Sequence, residues 1–247
     1  MKLYSKLAVL GAVLAVASAY ASADVFGITS GSGGVFYQGY STTLAGAPAF
    51  QPTGVNDSGE LAFANSVATI APGTIWATPL SASYQGNTFN SAWVSYDPNS
   101  GPTGGENGTT NPYDADGFYT YTTNFTLSGG GLPYSGSLAV MADDTTAVYL
   151  NGVLLAPEGM LGGDAQCGDG IPDCRTGGSE TVFLDPALIN QNGFNFLTFV
   201  VEQSGSIDQG LDFAGTIEST PEPNTLLLLG TGLIGSAGAL FRKKRAA

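Results

Sequence analysis

The sequence of 247 residues contains no histidine, only seven lysine and arginine residues, and two cysteines. The absence of histidine removes the most common general base and the most common transition-metal ligand. A serine hydrolase of the usual type is excluded, because its base is missing and no Gly-x-Ser-x-Gly motif is present. Phosphate-binding loops, zinc motifs and dinucleotide-binding fingerprints are absent as well.

Basic residues are confined almost entirely to the two ends of the chain. Lys2 and Lys6 lie at the N-terminus and four more occupy 242–245, so Arg175 is the one basic residue within 24–220. That segment holds 19 of the 20 acidic residues, which gives it a net charge of −18. Nucleic acid is excluded as a partner, because binding to its phosphates requires a patch of lysine and arginine side chains. The 43% hydrophobic content excludes a disordered acidic tail.

Residues 1–23 have the pattern of a signal peptide. Two lysines precede an apolar run over 7–17, and small residues follow up to Ala23. A charged start, a short apolar run and a small-residue exit are typical of export signals. We predict cleavage by signal peptidase before Asp24. The alternative is an uncleaved membrane anchor, although the apolar run is shorter than the ~20 residues that a membrane span needs.

The C-terminal segment 221–247 has three parts in order. Pro221-Glu222-Pro223 is followed by an uncharged apolar stretch at 225–241 and by the basic residues Arg242, Lys243, Lys244 and Arg245. A helix of this length spans about 26 Å at 1.5 Å per residue, enough for a thin bilayer. The basic end would stay in the cytoplasm. We therefore predict a transmembrane sorting helix that inserts transiently; a buried helix of a soluble domain leaves the four basic residues unexplained.

This three-part segment closely resembles the PEP-CTERM sorting signal of Gram-negative bacteria, over 221–245. The resemblance implies processing near Pro221-Glu222-Pro223 by an exosortase, a membrane cysteine protease. It also implies export across the inner membrane, a membrane-anchored precursor, and transfer to the cell surface or extracellular matrix. Proteins with this signal are typical of bacteria that make exopolysaccharide and biofilm.

The middle segment, 24–220, is dominated by β-strand signals. Period-two alternation predicts strands at 118–127, 137–142, 181–184, 196–202 and 211–218. Asn151-Gly152 between apolar runs predicts a tight hairpin. Polar, glycine-rich stretches at 98–117 and 157–180 predict long loops. Long helical periodicity is absent outside the two ends. We predict an all-β fold with a single antiparallel β-sandwich as the extracellular domain.

The order and spacing of several segments across roughly 90–217 resemble a galactose-binding-like jelly roll. The segments that carry the resemblance are 91–95, 117–121, 142–152, 196–201 and 210–211. The resemblance implies a fold rather than a function, because this fold supports binding, structural and accessory roles. In that family the positions of Asp143-Asp144 and Asn151 usually serve turn geometry. A ligand-binding role through Asp144 or Asn151 is the alternative.

Cys167 and Cys174 are separated by six residues in an exported chain. This arrangement favours a disulfide that closes a small loop. A catalytic dithiol is the alternative, but the C-x-x-C spacing is missing.

Two loops contain acidic residues that suit Ca²⁺, a hard cation that prefers carboxylates next to a tight glycine turn. Asp164, Asp169 and Asp173 lie in the cysteine-containing loop, and Asp169 to Asp173 resembles the second half of a thrombospondin type 3 calcium repeat, whose first half is missing. Asp114 and Asp116 form the second candidate. A solvated acidic loop is the alternative at both places.

Six aromatic residues are candidates for a platform on which sugar rings stack, although aromatic residues of a sandwich often belong to its core or rim. They are Trp76, Trp93, Tyr96, Tyr113, Tyr119 and Tyr121. A glycosidase would need two carboxylates across a bond, and no spacing among the acids selects such a pair.

We therefore predict an exported, surface-sorted, non-catalytic protein of the extracellular matrix or biofilm, with extracellular polysaccharide as its partner in a binding or adhesion role. The alternatives are a glycan-active enzyme on the same sandwich and a purely structural surface protein without a specific ligand.

Overall fold

The computed structural model describes residues 25–31, 34–46, 60–61, 63–64, 76–96, 115–127, 133–159, 171–205 and 209–219. The predicted signal peptide at 1–23 and the predicted sorting signal, with its apolar helix at 225–241, lie outside the described residues. Val25–Glu218 form one compact unit, and the domain boundaries at 23/24 and 220/221 stay predictions. Among the described residues, we find no helix with the length and apolarity needed to cross a membrane.

Within its described residues the protein contains β-strands and no helix. The strands are β1 (Val25–Thr29), β2 (Val35–Ser41), β3 (Glu60–Leu61), β4 (Phe63–Ala64), β5 (Ser81–Tyr84), β6 (Asn87–Asn90), β7 (Val94–Ser95), β8 (Gly117–Thr126), β9 (Tyr134–Asp143), β10 (Thr145–Leu150), β11 (Val153–Ala156), β12 (Glu180–Leu184), β13 (Phe194–Gln203) and β14 (Gly210–Ser219).

The strands form two six-stranded sheets and one separate hairpin. The first sheet has the order β12-β9-β14-β7-β4, with β1 paired to the second half of β14. The second sheet has the order β11-β10-β13-β8-β2-β3, and β5 pairs with β6. The registers of both sheets are antiparallel, for example Phe183 opposite Ser137 and Val201 opposite Tyr119. The predicted all-β, jelly-roll-like antiparallel sandwich is confirmed.

The core lies between the two sheets because alternate residues of each strand point inward. In β14 the side chains of Leu211, Phe213 and Ile217 are buried at 0% exposure, and in β13 those of Leu197, Phe199 and Val201 are as well. Phe199 stacks on Phe213 across the interface, with ring centroids 4.5 Å apart. The apolar residues that alternate in the sequence are therefore the ones that pack between the two sheets.

The predicted hairpin between β10 and β11 is confirmed. Asn151 and Gly152 have φ values of 50° and 83°, and both turn positions of this hairpin type require positive φ. The Asn151 side chain donates to Leu188 O at 2.8 Å and to Asn195 Oδ1 at 2.9 Å, and it accepts from Phe196 N at 2.9 Å. Its polar atoms therefore connect the turn to the first residues of β13 and to Leu188, which precedes that strand.

The β5–β6 hairpin packs on the outer surface of the first sheet. Phe89 lies directly over Gly27 of β1, where a Cβ atom would come within 2.2 Å of the phenyl ring, so only glycine fits. The carboxylate of Asp212, at 0% exposure, accepts hydrogen bonds from Ser30 Oγ at 2.8 Å and Leu80 N at 2.7 Å. Asp212 thus connects β14 to the residues that precede this hairpin.

The two ends of the sandwich differ in what they carry. β8 begins where β13 finishes, since Gly117 pairs with Gln203. β14 begins where β9 finishes, since Gly136 lies next to Thr216 and Gly215 next to Ser137. We call this the loop end, because the long connections before β8 and between β11 and β12 meet it. Val25 pairs with Glu218 at the opposite end, so the first and last residues of the compact unit lie together there.

Candidate functional site

The structure places Asp116, Asp144 and Asp173 in connections that belong to the loop end. Asp116 directly precedes β8, Asp144 lies between β9 and β10, and Asp173 lies between β11 and β12. Their predicted companions Asp114, Asp164 and Asp169 lie outside the described residues. Within the described part of the chain, no group of three or more acidic or cysteine side chains could hold a metal ion. Both calcium sites therefore stay predictions.

Asp144 and Asn151 lie at opposite ends of β10. Seven residue steps separate them, about 23 Å at ~3.3 Å per residue. The Asp144 side chain is 1% exposed, and its Oδ2 accepts from Ser204 N at 2.5 Å and Ser204 Oγ at 2.9 Å. The Asn151 side chain forms hydrogen bonds with Leu188, Asn195 and Phe196. These hydrogen bonds hold the connections on both sides of β10 in place, and a ligand-binding role through Asp144 or Asn151 stays a prediction.

Asp173 and Cys174 are part of a compact turn. Asp173 Oδ1 accepts from Arg175 N at 2.7 Å, and Asp173 N donates to Gly178 O at 2.9 Å. Cys174 is fully buried against Trp76, Trp93 and Met141, and it is not a free thiol. Because Cys167 lies outside the described residues, its pairing with Cys174 stays a prediction.

The predicted aromatic platform is corrected by burial. Trp76, Trp93, Tyr119 and Tyr121 have exposures of 5%, 1%, 4% and 0%, so their rings are not available to a sugar. Trp93 Nε1 donates to Ala77 O at 2.9 Å, and Tyr121 OH donates to Gln209 Oε1 at 2.8 Å. These amphipathic rings are buried together with a polar partner, which makes them core residues. Tyr96 is half-buried and stacks on Tyr119, and Tyr113 lies outside the described residues.

A groove lies on the outer surface of the first sheet, at the end opposite the loop end. Its volume is about 490 Å³, within the ~300–1,000 Å³ range of small-molecule sites. The strands β12, β9 and β14 and the turn after β12 supply its lining. The lining residues are Ser135, Gly136, Ser137, Phe183, Leu184, Asp185, Pro186, Thr216 and Glu218.

The strand registers explain why these side chains meet. Phe183 pairs with Ser137 across β12 and β9, so both side chains lie on the same surface of the sheet. The flanking Val182 and Leu184 point into the core, at 4% and 2% exposure, which turns Phe183 outward. Phe183 is 74% exposed, the highest value among the exposed large hydrophobic residues of the described chain. The serines and Thr216 leave room beside the ring because they are small.

The β5–β6 hairpin lies beside the groove at Glu218. The hydroxyl of Tyr84, at the end of β5, lies close to the Glu218 carboxylate. Glu218 raises the pKa of Tyr84, because ionising the phenol would place two negative charges together. The hairpin therefore lies next to one of the two groove carboxylates. The other, Asp185, accepts from Ala187 N at 2.9 Å within its own turn.

The groove could not be identified from the amino-acid sequence. Phe183 stands within the apolar run Val182-Phe183-Leu184, which is typical of a buried strand. The one local indication was the alternation of side chains along a strand. Thr181 and Phe183 lie on one face of β12, and Val182 and Leu184 lie on the other. The pairing of β12 with β9, and of β9 with β14, joins residues far apart in the chain and could not be obtained from local patterns.

Comparison with known proteins gave three findings. Residues 219–245 match the PEP-CTERM protein-sorting motif. Comparison with the curated proteins gave no significant match. Among solved structures, the native structure of a family 35 carbohydrate-binding module from Clostridium thermocellum is similar, with 11% identity, a TM-score of 0.26, and coverage of 56% of this chain and 82% of that chain. A likeness at this level says nothing about ligands.

The motif confirms the predicted sorting signal, whose residues Pro221, Glu222, Pro223, Arg242, Lys243, Lys244 and Arg245 fall within the match. It implies export, a membrane-anchored precursor, and processing by signal peptidase and an exosortase on the way to the cell surface. This chain therefore carries a PEP-CTERM protein-sorting motif at its C-terminus and is an exported, surface-sorted β-sandwich protein.

Proposed function

We propose that the protein is a non-catalytic surface module that binds a saccharide chain in the groove between Phe183 and Glu218. The observation that carries the proposal is the groove itself, with a phenyl ring at 74% exposure beside a floor of small polar side chains. An exposed aromatic ring offers a flat apolar face to a sugar ring. Ser135, Ser137 and Thr216 offer hydroxyls that both donate and accept hydrogen bonds.

The chemistry of the groove favours binding over hydrolysis. A glycosidase needs a general acid whose surroundings keep it protonated, usually by burial, together with a second carboxylate across the bond. Asp185 is exposed and accepts a backbone hydrogen bond in its own turn, and Glu218 is only half-buried. Neither carboxylate of the groove is buried, so the glycan-active enzyme is the weaker proposal.

The test is saccharide retention by the full-length chain purified in mild detergent, measured by affinity electrophoresis against a panel of polysaccharides. The change Phe183→Ala should weaken binding about tenfold, which corresponds to ~1.4 kcal/mol and lies within the range of one aromatic stacking contact. Phe194→Ala is the matched control, because Phe194 is 50% exposed on the second sheet and is not part of the groove. Equal binding by the wild type and Phe183→Ala, or retention of no polysaccharide, would overturn the proposal.

We also propose that the extracellular matrix or biofilm of a Gram-negative bacterium is where this module acts. The sorting motif supports delivery to the surface, and the net charge of −18 over 24–220 keeps such a module soluble and away from anionic surfaces.

Calcium at the loop end stays a second proposal. The topology supports it, because the connections that carry Asp114 with Asp116, and Asp164 with Asp169 and Asp173, meet the same end of the sandwich. Bound calcium would neutralise part of the repulsion among these carboxylates.

A further inference from the structure

We infer that the groove selects saccharides with free amines, such as glucosamine chains, over neutral and uronic acid chains, with Glu218 as the specificity-determining residue. This inference rests on the proposed saccharide-binding function and names the class of saccharide. It depends on the charges of the groove, the half-buried position of Glu218 in its lining and the exposure of Phe183.

The charges of the groove disfavour anionic polymers. Asp185 and Glu218 line it, and none of its nine lining residues is lysine or arginine. The domain over 24–220 has a single basic residue, Arg175, so an anionic chain would meet repulsion both in the groove and around it.

Glu218 lines the groove, where an amine could reach it. A carboxylate has about four acceptor positions, so acceptor capacity remains for a ligand even with the Tyr84 hydroxyl close by. A hydrogen bond from an ammonium group to a carboxylate is about twice as strong as one between neutral groups. Because Glu218 is half-buried, less side-chain freedom is lost on binding than for a fully exposed carboxylate.

The two carboxylates lie on opposite sides of the groove. Glu218 belongs to β14 and Asp185 follows β12, with β9 between these strands, so they are separated by two strand spacings, about 10 Å. Phe183 lies on the Asp185 side, and the face of its ring attracts a cation as well as a sugar face. A chain of amino sugars could therefore place amines at both sides while one ring stacks on Phe183.

The test is calorimetry on the full-length chain at low salt and pH about 5.5, where ordinary carboxyl groups are ionised. The probes are hexamers of glucosamine, of N-acetylglucosamine and of a uronic acid, with a lysine hexamer as the charge control. We expect the glucosamine hexamer to bind at least about tenfold more tightly than the N-acetylated one. Added salt should weaken the first and leave the second nearly unchanged.

The variant Glu218→Gln should lower affinity for the glucosamine hexamer about tenfold and change affinity for the N-acetylated hexamer by less than about twofold. It keeps an oxygen that can accept the Tyr84 hydroxyl, and its melting temperature reports whether the fold is intact. Glu158→Gln, which removes a carboxylate near Tyr149 and outside the groove, is the matched control and should change neither affinity.

Three outcomes would overturn the inference. The first is that the N-acetylated hexamer binds as tightly as the glucosamine hexamer. The second is that Glu218→Gln weakens binding of both hexamers equally. The third is that the lysine hexamer binds as tightly as the glucosamine hexamer, both to the wild type and to Phe183→Ala. If a neutral or uronic acid hexamer binds in a manner that requires Phe183, the proposed function stands and only the amine preference fails. If no saccharide hexamer binds, the proposed function itself fails.

Discussion

Asp212 gives the sharpest prediction about stability, because its buried carboxylate joins three separate segments. It accepts from Ser30 Oγ and Leu80 N, and the nearby Ser91 also lowers its pKa. The change Asp212→Ala removes this acceptor. Ser30 Oγ can still donate to Phe213 O at 3.2 Å, and Ser91 Oγ to Leu80 O at 2.7 Å. The Leu80 N–H has no such alternative among the hydrogen bonds described here.

The expected loss follows from these partners. One donor left without an acceptor costs about 1–3 kcal/mol, and removal of a fully buried side chain adds to it, so we expect about 3 kcal/mol for Asp212→Ala. In a domain of this size each kcal/mol lowers the melting temperature by about 2–4 °C, which gives about 6–12 °C. Asp212→Asn keeps an acceptor for Leu80 N and should lose about 1 kcal/mol.

The pH dependence of the Asp212 contribution has a definite sign. Burial is the largest influence and raises the pKa of Asp212 above its ordinary 3.8, although the hydrogen bonds oppose it. The folded state therefore binds this proton more tightly than the unfolded state does. The stabilisation from the Asp212 proton is fully present below pH 3.8 and is lost as the pH rises through the higher folded pKa.

Thermal unfolding followed by circular dichroism tests both parts of this prediction on the full-length chain in mild detergent. The advantage of the wild type over Asp212→Asn, which does not titrate, should be greatest at low pH and decrease as the pH rises. Glu158→Ala is the control for removal of a half-buried acid elsewhere and should melt within about 2 °C of the wild type. A loss below about 2 °C for Asp212→Ala, or an advantage that grows with pH, would refute the reasoning.

Three further predictions concern the turn, the ion and the tail. Asn151→Ala removes three hydrogen bonds and places alanine at a φ of 50°. It should therefore lower the free energy of unfolding, measured by denaturant titration, by about 2–4 kcal/mol. A loss below about 0.5 kcal/mol would contradict the structural role of Asn151. If calcium binds at the loop end, the melting temperature should be higher in calcium than in chelator, and equal values would count decisively against a structural ion. Deletion of 221–247 in the native host should abolish surface retention, whereas unchanged retention would contradict the sorting role.

The strands that carry the core were predictable because their periodicity is local. The segments 118–127, 137–142, 181–184, 196–202 and 211–218 all fall on observed strands, each within a few residues of its ends. The Asn151-Gly152 turn was equally clear, because positive φ at two successive positions strongly restricts the residues that fit.

The strands before residue 90 were not predicted. β3 and β4 have two residues each, too few to show a period, and β5 and β6 contain mostly small and polar residues. Their positions depend on tertiary contacts such as Phe89 against Gly27, and local patterns do not contain this information.

The predicted site residues show the limit of arguments from residue type. Trp76, Trp93, Tyr119 and Tyr121 were suitable for stacking, yet each lies in the core, because a sandwich needs large side chains there. Phe183 is equally apolar but exposed, because it lies on the face of β12 opposite to the buried Val182 and Leu184. Residue type indicated the chemistry, while strand register decided which rings a ligand could reach.

A map of backbone amide chemical shifts tests most directly whether saccharide binds in the groove, as we propose, rather than at the loop end. The full-length chain is titrated with the saccharide that binds most tightly, in calcium and in chelator. We expect shifts centred on Ser137, Phe183 and Thr216 in both conditions, with the loop end unchanged. Shifts centred on Asp116, Asp144 and Asp173, with the groove unaffected, would contradict it.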